Sequence, residues 1–180
     1  MGGLDLVAIV VFFLIGYWIV DYLWPKKKGA AAAGAGGRVT VRVSRPLDAP
    51  PERAFDAWLD PASAGRWLFA TPQGRMARVE IDARVGGAYL FVDRRDGVDV
   101  EHTGEYLEIE RPRRLVFNFR VPKFSAEATL VVVEFAPSGF GCRVSVAHDG
   151  VLPEFAQRTE QGWNEILEGL ARELARAPGA

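Results

Sequence analysis

An apolar segment near the start of the sequence is long enough to cross a lipid bilayer. No charged residue interrupts Leu6–Val20, and residues 22–24 extend the segment beyond Asp21. The 19 residues from Leu6 to Trp24 would form a helix of about 28 Å, because each residue adds about 1.5 Å, and this length is close to the thickness of the hydrocarbon core. We therefore predict a single transmembrane anchor over residues 1–25.

A cleaved signal peptide and a buried core helix are the alternative interpretations of this segment. A signal peptide carries positive charge before its apolar run, whereas the charged residue before this run is Asp5 and the basic cluster follows it. A helix buried in a globular core would show one polar face, but Val7–Val20 is apolar on all sides. The pattern favours the anchor.

Basic residues after the apolar segment predict its orientation. Lys26, Lys27 and Lys28 follow it directly, and Arg38 comes shortly afterwards. Basic flanks stay on the cytoplasmic side of a membrane, so we expect a single-pass protein whose C-terminal domain faces the cytoplasm. The three lysines can also contact anionic headgroups, at about 1 kcal/mol each. The single cysteine, Cys142, cannot form an intramolecular disulfide, which agrees with a reducing compartment.

A linker over residues 26–38 is predicted to connect the anchor to the rest of the chain. It is basic at first, and Gly29–Gly37 then contains only glycine and alanine. Such a segment behaves as a flexible tether that spans roughly 15–18 Å. The following domain is therefore expected to stay close to the membrane.

The charge of the predicted domain, residues 39–177, argues against nucleic acid as a partner. From Val39 onward the sequence has 18 Lys and Arg against 21 Asp and Glu. A protein that binds nucleic acid needs a concentrated basic face, and the basic residues here are scattered among acidic ones. We therefore predict no nucleic-acid binding.

The hydrophobic pattern of the domain predicts strands followed by one long helix. Alternation of apolar and polar residues indicates strands at 39–44, 79–85, 88–93, 98–109, 115–121, 126–136 and 140–148. Two short helices are expected after the first strand, the second carrying Trp67 and Leu68. A stripe at helical spacing comprises Trp163, Ile166, Leu167, Leu170 and Leu174. This order is typical of an α+β domain, here a curved antiparallel sheet of about six strands wrapped on a long C-terminal helix.

Short sequence blocks in the domain occur in an order that is typical of one family. They are 51–58, Asp60-Pro61, Arg66-Trp67, 85–87, 104–109, 112–117 and 161–163. Together they resemble the START/Bet v 1-like (SRPBCC) superfamily, and within it the Aha-type domain, named after the activator of a heat-shock chaperone's ATPase. The resemblance covers about Val39–Leu174. It implies a helix-grip fold with a cavity that members use to hold apolar small molecules, to cyclise or hydrolyse them, or not at all.

Nine residues are predicted to line that cavity. Strand parity and helix position direct them toward one space: Trp67, Tyr89, Phe91, Phe117, Phe119, Val144, His148, Trp163 and Leu167. Large aromatic side chains can fill a core or surround a ligand. An open cavity would favour a membrane-tethered domain that binds an apolar or amphipathic small molecule, such as a lipid. A filled interior would favour a co-chaperone-like module that binds a protein partner.

Catalytic chemistry finds weak support in the sequence. His148 is either a strand-end residue that caps backbone groups or a polar, acid–base group at the cavity mouth. Ser145 and Cys142 are near it in sequence, but Ser145 is expected on the opposite strand face. We predict no catalytic residue, and a cyclase or hydrolase that uses the same cavity remains the second alternative.

Metal binding is not predicted either, and neither is any cofactor. His102 is expected on the strand face opposite Glu101 and Glu105, whereas a metal site needs convergent ligands. Another group, Arg66, Arg75 and Arg78, surrounds the short second helix. These arginines form either a solvated surface or a site for an acidic partner or ligand headgroup.

Overall fold

A seven-stranded antiparallel sheet and one long helix form the body of the domain. The computed structural model describes residues 37–72 and 74–176, which belong to one compact unit, Gly36–Ala180. The elements are β1 Val39–Leu47, α1 Pro51–Leu59, α2 Pro61–Ala64, β2 Arg75–Ile81, β3 Ala88–Arg95, β4 Val98–Glu110, β5 Arg114–Phe119, β6 Thr129–Ser138, β7 Gly141–Val151 and α3 Ala156–Leu174. The α+β architecture predicted from the sequence is confirmed.

The strand order is β1-β7-β6-β5-β4-β3-β2, with every neighbouring pair antiparallel. The prediction of about six strands is therefore too low by one. Between β2 and β3, which the sequence pattern also separates, the chain turns through Asp82–Gly87, where Gly86 has a φ of 78°. That turn is fixed to β4, since the Gly86 N–H donates to the Tyr106 carbonyl across 2.8 Å and the Tyr106 N–H donates to Gly87 across 2.9 Å.

Several predicted boundaries are wrong, among them those of the second strand and of the second short helix. The strand expected over 79–85 instead covers Arg75–Ile81, because the residues after Ile81 form the turn. The short helix α2 ends at Ala64 and does not carry Trp67 or Leu68. After Ala64 the chain forms a tighter turn, in which the Trp67 N–H donates to the carbonyl three residues earlier, that of Ala64, across 3.1 Å.

The core lies between the two longer helices and one face of the sheet. The stripe predicted on the last helix is buried at Trp163, Leu167, Leu170 and Leu174, while Ile166 is half-buried. Edge contacts between aromatic rings join the layers, as at Trp58 and Trp67, whose centroids are 4.9 Å apart. Such contacts add to the hydrophobic stabilisation from buried area.

Among residues 37–72 and 74–176, no helix has the length and apolar character needed to span a bilayer. The anchor predicted for residues 1–25, the linker up to Gly36 and the membrane-surface lysines Lys26, Lys27 and Lys28 lie outside the described residues.

Candidate functional site

Aromatic side chains from β3, β4 and β5 form the inner wall of the domain. Tyr89 and Phe91 share one face of β3, with ring centroids 6.0 Å apart. Phe117 on β5 contacts Tyr89 at 5.5 Å, and Tyr106 on β4 lies 5.5 Å from the same ring. Successive strand residues alternate between faces, and this is why the predicted residues that are two positions apart meet on one side of the sheet.

Phe69 occupies the centre of this interior although it belongs to a turn. It follows α2 and its φ is 57°, in the left-handed region that non-glycine residues adopt at an energetic cost. Its ring stacks on His102 with centroids 4.8 Å apart and planes 1° from parallel. It also contacts three of the predicted cavity residues, namely Phe91 at 5.4 Å, Phe119 at 5.4 Å and Trp163 at 6.2 Å.

The interior is closed. The space between Trp58, Leu68, Phe69, Tyr89, Phe91, Tyr106 and Phe117 is too small to admit a water molecule. Phe69 and the rings around it therefore fill the space in which the sequence predicts a ligand. A small molecule can enter only if one of these side chains moves.

His148 links the long helix to the sheet through a chain of hydrogen bonds. Its Nδ1 accepts from the indole N–H of Trp163 across 3.0 Å, so the ring proton is on Nε2, which lies 2.7 Å from Thr129 Oγ1. The Thr129 hydroxyl donates in turn to the Phe119 carbonyl across 3.2 Å. The prediction of a strand-end histidine is wrong, because β7 continues to Val151 and the partners are side chains.

Both histidines are neutral in the folded domain. Burial lowers the pKa of His148 to about 4. Burial also lowers the pKa of His102 to about 3, and the positive charge of Arg95 adds to this effect. A charged imidazole loses its hydration inside an aromatic interior, so the neutral form is favoured. Neither ring is therefore poised to exchange protons near neutral pH.

The remaining predicted cavity residues are buried but lie at different places. Val144 is fully buried on the inner face of β7, and Leu167 is fully buried on α3. Trp67 packs against Trp58 and against the backbone side of α3, where a Cβ on Gly169 would be 3.1 Å from Trp67 Cβ. Trp67 is not among the residues that surround the space beside Phe69.

Apart from His102 and His148, the residues considered for catalysis, metal binding or charge recognition do not line this interior. Cys142 is buried on β7, and burial raises the pKa of its thiol. Within the described ranges no cluster of three or more His, Cys, Asp or Glu could hold a metal ion. Arg66 forms a two-pronged ion pair with Glu173, with Nε 3.0 Å from both oxygens, and this pair lowers the pKa of Glu173.

Sequence reasoning did not include Phe69, His102, Tyr106 or Trp58 among the residues that surround the cavity. Strand parity could have found His102 and Tyr106, since both alternate with exposed residues on β4 and share the face of Val100. Phe69 carries no such signal, because a turn residue with positive φ belongs to no periodic pattern.

Comparisons with known proteins agree on the type of domain. A family model described as Activator of Hsp90 ATPase homolog 1-like protein matches residues 48–175. A solved structure from Chromobacterium violaceum is 29% identical with a TM-score of 0.70, over 77% of this chain and 98% of that chain. A protein from Rhizobium loti is 28% identical with a TM-score of 0.65, over 76% and 96%.

An AHSA1-like protein from Aeromonas hydrophila is 22% identical with a TM-score of 0.67, over 76% of this chain and 92% of that chain, and at this identity it shows the fold alone. A search of curated proteins found no match. These findings support the helix-grip, Aha-type domain that the sequence blocks predict.

Proposed function

The chain belongs to the Activator of Hsp90 ATPase homolog 1-like family, and from this premise we propose that its domain binds an apolar or amphipathic small molecule. The ligand lies between α3 and the inner face of the sheet. The described structure is the closed form, in which the Phe69 ring occupies the ligand's place. Opening requires the turn after α2 to withdraw that ring.

The position of Phe69 is the observation that carries this proposal. A core aromatic residue is normally supplied by a helix or strand that holds its backbone in a favourable conformation. Here a turn holds the backbone in the left-handed region at a φ of 57°. Strained residues of this kind concentrate at ligand clamps and switch regions. The walls that the ring leaves behind are aromatic, among them Phe91, Phe119 and Trp163.

The experiment titrates the full-length chain with dodecanol and follows tryptophan fluorescence. Trp163 and Trp58 lie beside the interior, so a ligand that enters it changes their emission. The wild-type chain is expected to bind one dodecanol. Phe69→Gly should bind it about tenfold more tightly or better, because the ligand no longer competes with a packed ring, and tenfold corresponds to about 1.4 kcal/mol.

Phe140→Gly is the matched control. Phe140 is fully exposed in the β6–β7 turn, so this variant loses the same ring from the surface and should bind dodecanol as the wild type does. If neither the wild type nor Phe69→Gly binds dodecanol, the carrier function is excluded. If dodecanol binds, mass spectrometry of organic extracts from the purified chain identifies the natural ligand.

Exposed apolar side chains favour a second function, the binding of a protein partner. Val85 is 60% exposed and Leu107 is 44% exposed, and the two are neighbours because the turn at Gly86 pairs with Tyr106. Patches of this kind can mark interaction sites. Crosslinking in membranes with Val85→Ser, Leu107→Ser as the comparison tests this. If the wild type and the variant capture a partner equally, that partner does not use the patch. If the wild type captures no partner above the level of an anchor-only control, the interaction function is excluded.

Membrane tethering is part of the proposal and rests on the sequence. The apolar segment and Lys26, Lys27 and Lys28 support a single-pass anchor with the domain on the cytoplasmic side. A C-terminal reporter should be active in the cytoplasm, and activity only on the opposite side of the membrane would contradict this orientation. Neutral residues at the three lysine positions should weaken the preference for placing the domain on the cytoplasmic side.

A further inference from the structure

The turn after α2 contacts the inner face of β3 through two of its side chains. The Phe69 ring lies 5.4 Å from the ring of Phe91, and the Thr71 hydroxyl donates to Asp93 Oδ2 across 2.7 Å. Phe91 and Asp93 are two positions apart on one strand, so they share a face at a spacing of about 7 Å. The turn therefore places an aromatic ring and a hydroxyl on two successive inward positions of β3.

Asp93 is the polar group at the edge of the aromatic interior. Both Phe91 and Asp93 are fully buried. In the β3–β4 register Phe91 pairs with His102, on which the Phe69 ring stacks, and Asp93 pairs with the buried Val100. The carboxylate is thus the next group along the wall that the Phe69 ring covers.

The Asp93 carboxylate has a balancing charge but few donors. Its Oδ2 accepts from Arg95 Nε across 2.7 Å in addition to the Thr71 hydroxyl. Its Oδ1 is buried and accepts no hydrogen bond from the described part of the chain. Gly74 covers that oxygen, since a Cβ on this glycine would lie 2.2 Å from it. Burying a carboxylate oxygen without a donor is unfavourable, so a neutral O–H group suits this position.

Opening the interior takes the ring and the hydroxyl away from β3 together. Thr71 lies two residues after Phe69, so a turn that withdraws the ring also withdraws the hydroxyl, and the buried carboxylate of Asp93 loses a donor. A ligand that replaces the ring but brings no donor leaves this carboxylate unsatisfied, which is unfavourable. A ligand that also brings an O–H group restores the hydrogen bond.

We propose that the ligand is a neutral alcohol, whose apolar body takes the place of the Phe69 ring and whose hydroxyl takes the place of the Thr71 hydroxyl and donates to Asp93. This inference rests on the proposed function and adds the chemical class of the ligand. Arg95 already gives the carboxylate one positive partner, so an ammonium head brings a second positive charge to it. A carboxylate head has no proton to donate and is repelled by Asp93.

The test compares four ligands on the full-length protein: dodecanol, its isomer methyl undecyl ether, dodecanoate and dodecylammonium. Each is titrated below its solubility limit or micelle threshold while tryptophan fluorescence is followed. Dodecanol should bind about tenfold more tightly than the ether, because the ether cannot donate and leaves a buried charged acceptor unsatisfied. Dodecanoate and dodecylammonium should both bind more weakly than dodecanol.

Asp93→Asn should lower the ratio of dodecanol affinity to ether affinity severalfold, because a hydrogen bond to a neutral amide oxygen is weaker than one to a carboxylate. Asp99→Asn is the matched control. Asp99 lies on the adjacent strand β4 and is an exposed aspartate, paired with Arg94 across 2.6 Å. This variant should keep the full ratio.

Thr71→Val should act differently from Asp93→Asn. Opening no longer breaks the hydrogen bond from Thr71, so dodecanol and the ether should both bind about tenfold more tightly, and the ratio between them should stay unchanged. Thr40→Val is the matched control, because the Thr40 hydroxyl donates to Asp149 at an exposed site. It should leave both affinities as they are in the wild type.

Three results overturn the alcohol and leave the carrier function standing. They are an ether that binds the wild type as tightly as dodecanol does, tighter binding of dodecanoate or dodecylammonium than of dodecanol, and a ratio that survives in folded Asp93→Asn. Failure of all four ligands to bind overturns both proposals. Thermal melts show whether each variant is folded, and the comparison of ligands on the wild type decides the proposal even where Asp93→Asn does not fold.

Discussion

The indole N–H of Trp163 donates a hydrogen bond across 3.0 Å to Nδ1 of His148, and this contact ties α3 to the inner face of the sheet. Both residues are buried. The hydrogen bond also fixes which nitrogen of His148 carries the proton, so the imidazole can pass its own hydrogen bond to Thr129. Trp163 thereby orders a series of hydrogen bonds that extends to Thr129 on β6.

The Trp163–His148 contact should appear as coupling between the two side chains. We expect Trp163→Phe and His148→Phe each to lower the free energy of unfolding, and the double variant to lose about 1 kcal/mol less than the sum, because both singles remove the same hydrogen bond. Urea unfolding of the four proteins measures this. A second cycle that combines Trp163→Phe with Arg172→Ala, an exposed position, should be additive. Additivity in the first cycle would mean that the hydrogen bond contributes nothing to stability.

Acid should destabilise the domain through its two histidines. In the unfolded chain each histidine gains a proton near pH 6.5, whereas burial holds the folded pKa of His148 at about 4 and that of His102 at about 3. The unfolded state thus binds more protons below pH 6.5, so the free energy of unfolding falls with pH, by about 1.4 kcal/mol per pH unit for each ring.

Urea unfolding between pH 7.5 and pH 5 measures this histidine effect, because Asp and Glu titrate mostly below that window. As the pH falls, the free energy of unfolding should begin to decrease near pH 6.5. The contribution of each ring to this decrease should end at its folded pKa. His148→Phe should halve the slope between about pH 6 and pH 5, leaving the part that belongs to His102. An unchanged slope in this variant would contradict a neutral, buried His148.

Gly104 should tolerate no side chain. A Cβ at this position on β4 would overlap the Asn118 carbonyl oxygen and lie 2.7 Å from the Tyr89 hydroxyl, which itself donates to Asn118 across 2.9 Å. Gly104→Ala is therefore expected to cost about 3 kcal/mol or more, at the upper end of overpacking effects. Gly37→Ala is the control, since nothing lies within 4 Å of a Cβ there. Thermal melts showing equal stability for both variants would refute the predicted clash.

The sequence predicted the parts of this site that belong to regular elements. Alternation along β3 and β5 placed Tyr89, Phe91 and Phe117 on one face, and helical spacing placed Trp163 over them. Phe69 could not be predicted, because a turn residue has no periodicity and its left-handed backbone follows from tertiary packing. Asp93 was missed for another reason. An aspartate in a strand normally indicates the solvent face, and only the partners Thr71 and Arg95 explain its burial.

At Phe69 the usual order of stability of glycine and alanine variants should be reversed. Elsewhere glycine is less stable than alanine by roughly 0.5–1 kcal/mol, because the unfolded chain has more freedom. At a φ of 57° alanine keeps the backbone strain while glycine removes about 1–2 kcal/mol of it. Both variants lose the ring, at about 3–5 kcal/mol, so Phe69→Gly should unfold at a higher urea concentration than Phe69→Ala.

Leu68, the preceding residue, is the control for the relative stability of the glycine and alanine variants. It is equally buried, and its backbone lies outside the left-handed region, so Leu68→Ala should be more stable than Leu68→Gly. If Phe69→Gly is instead the less stable of its pair, the turn is not strained in solution. The ring of Phe69 would then be an ordinary part of the core, and the argument that it occupies a ligand's place would lose its physical basis.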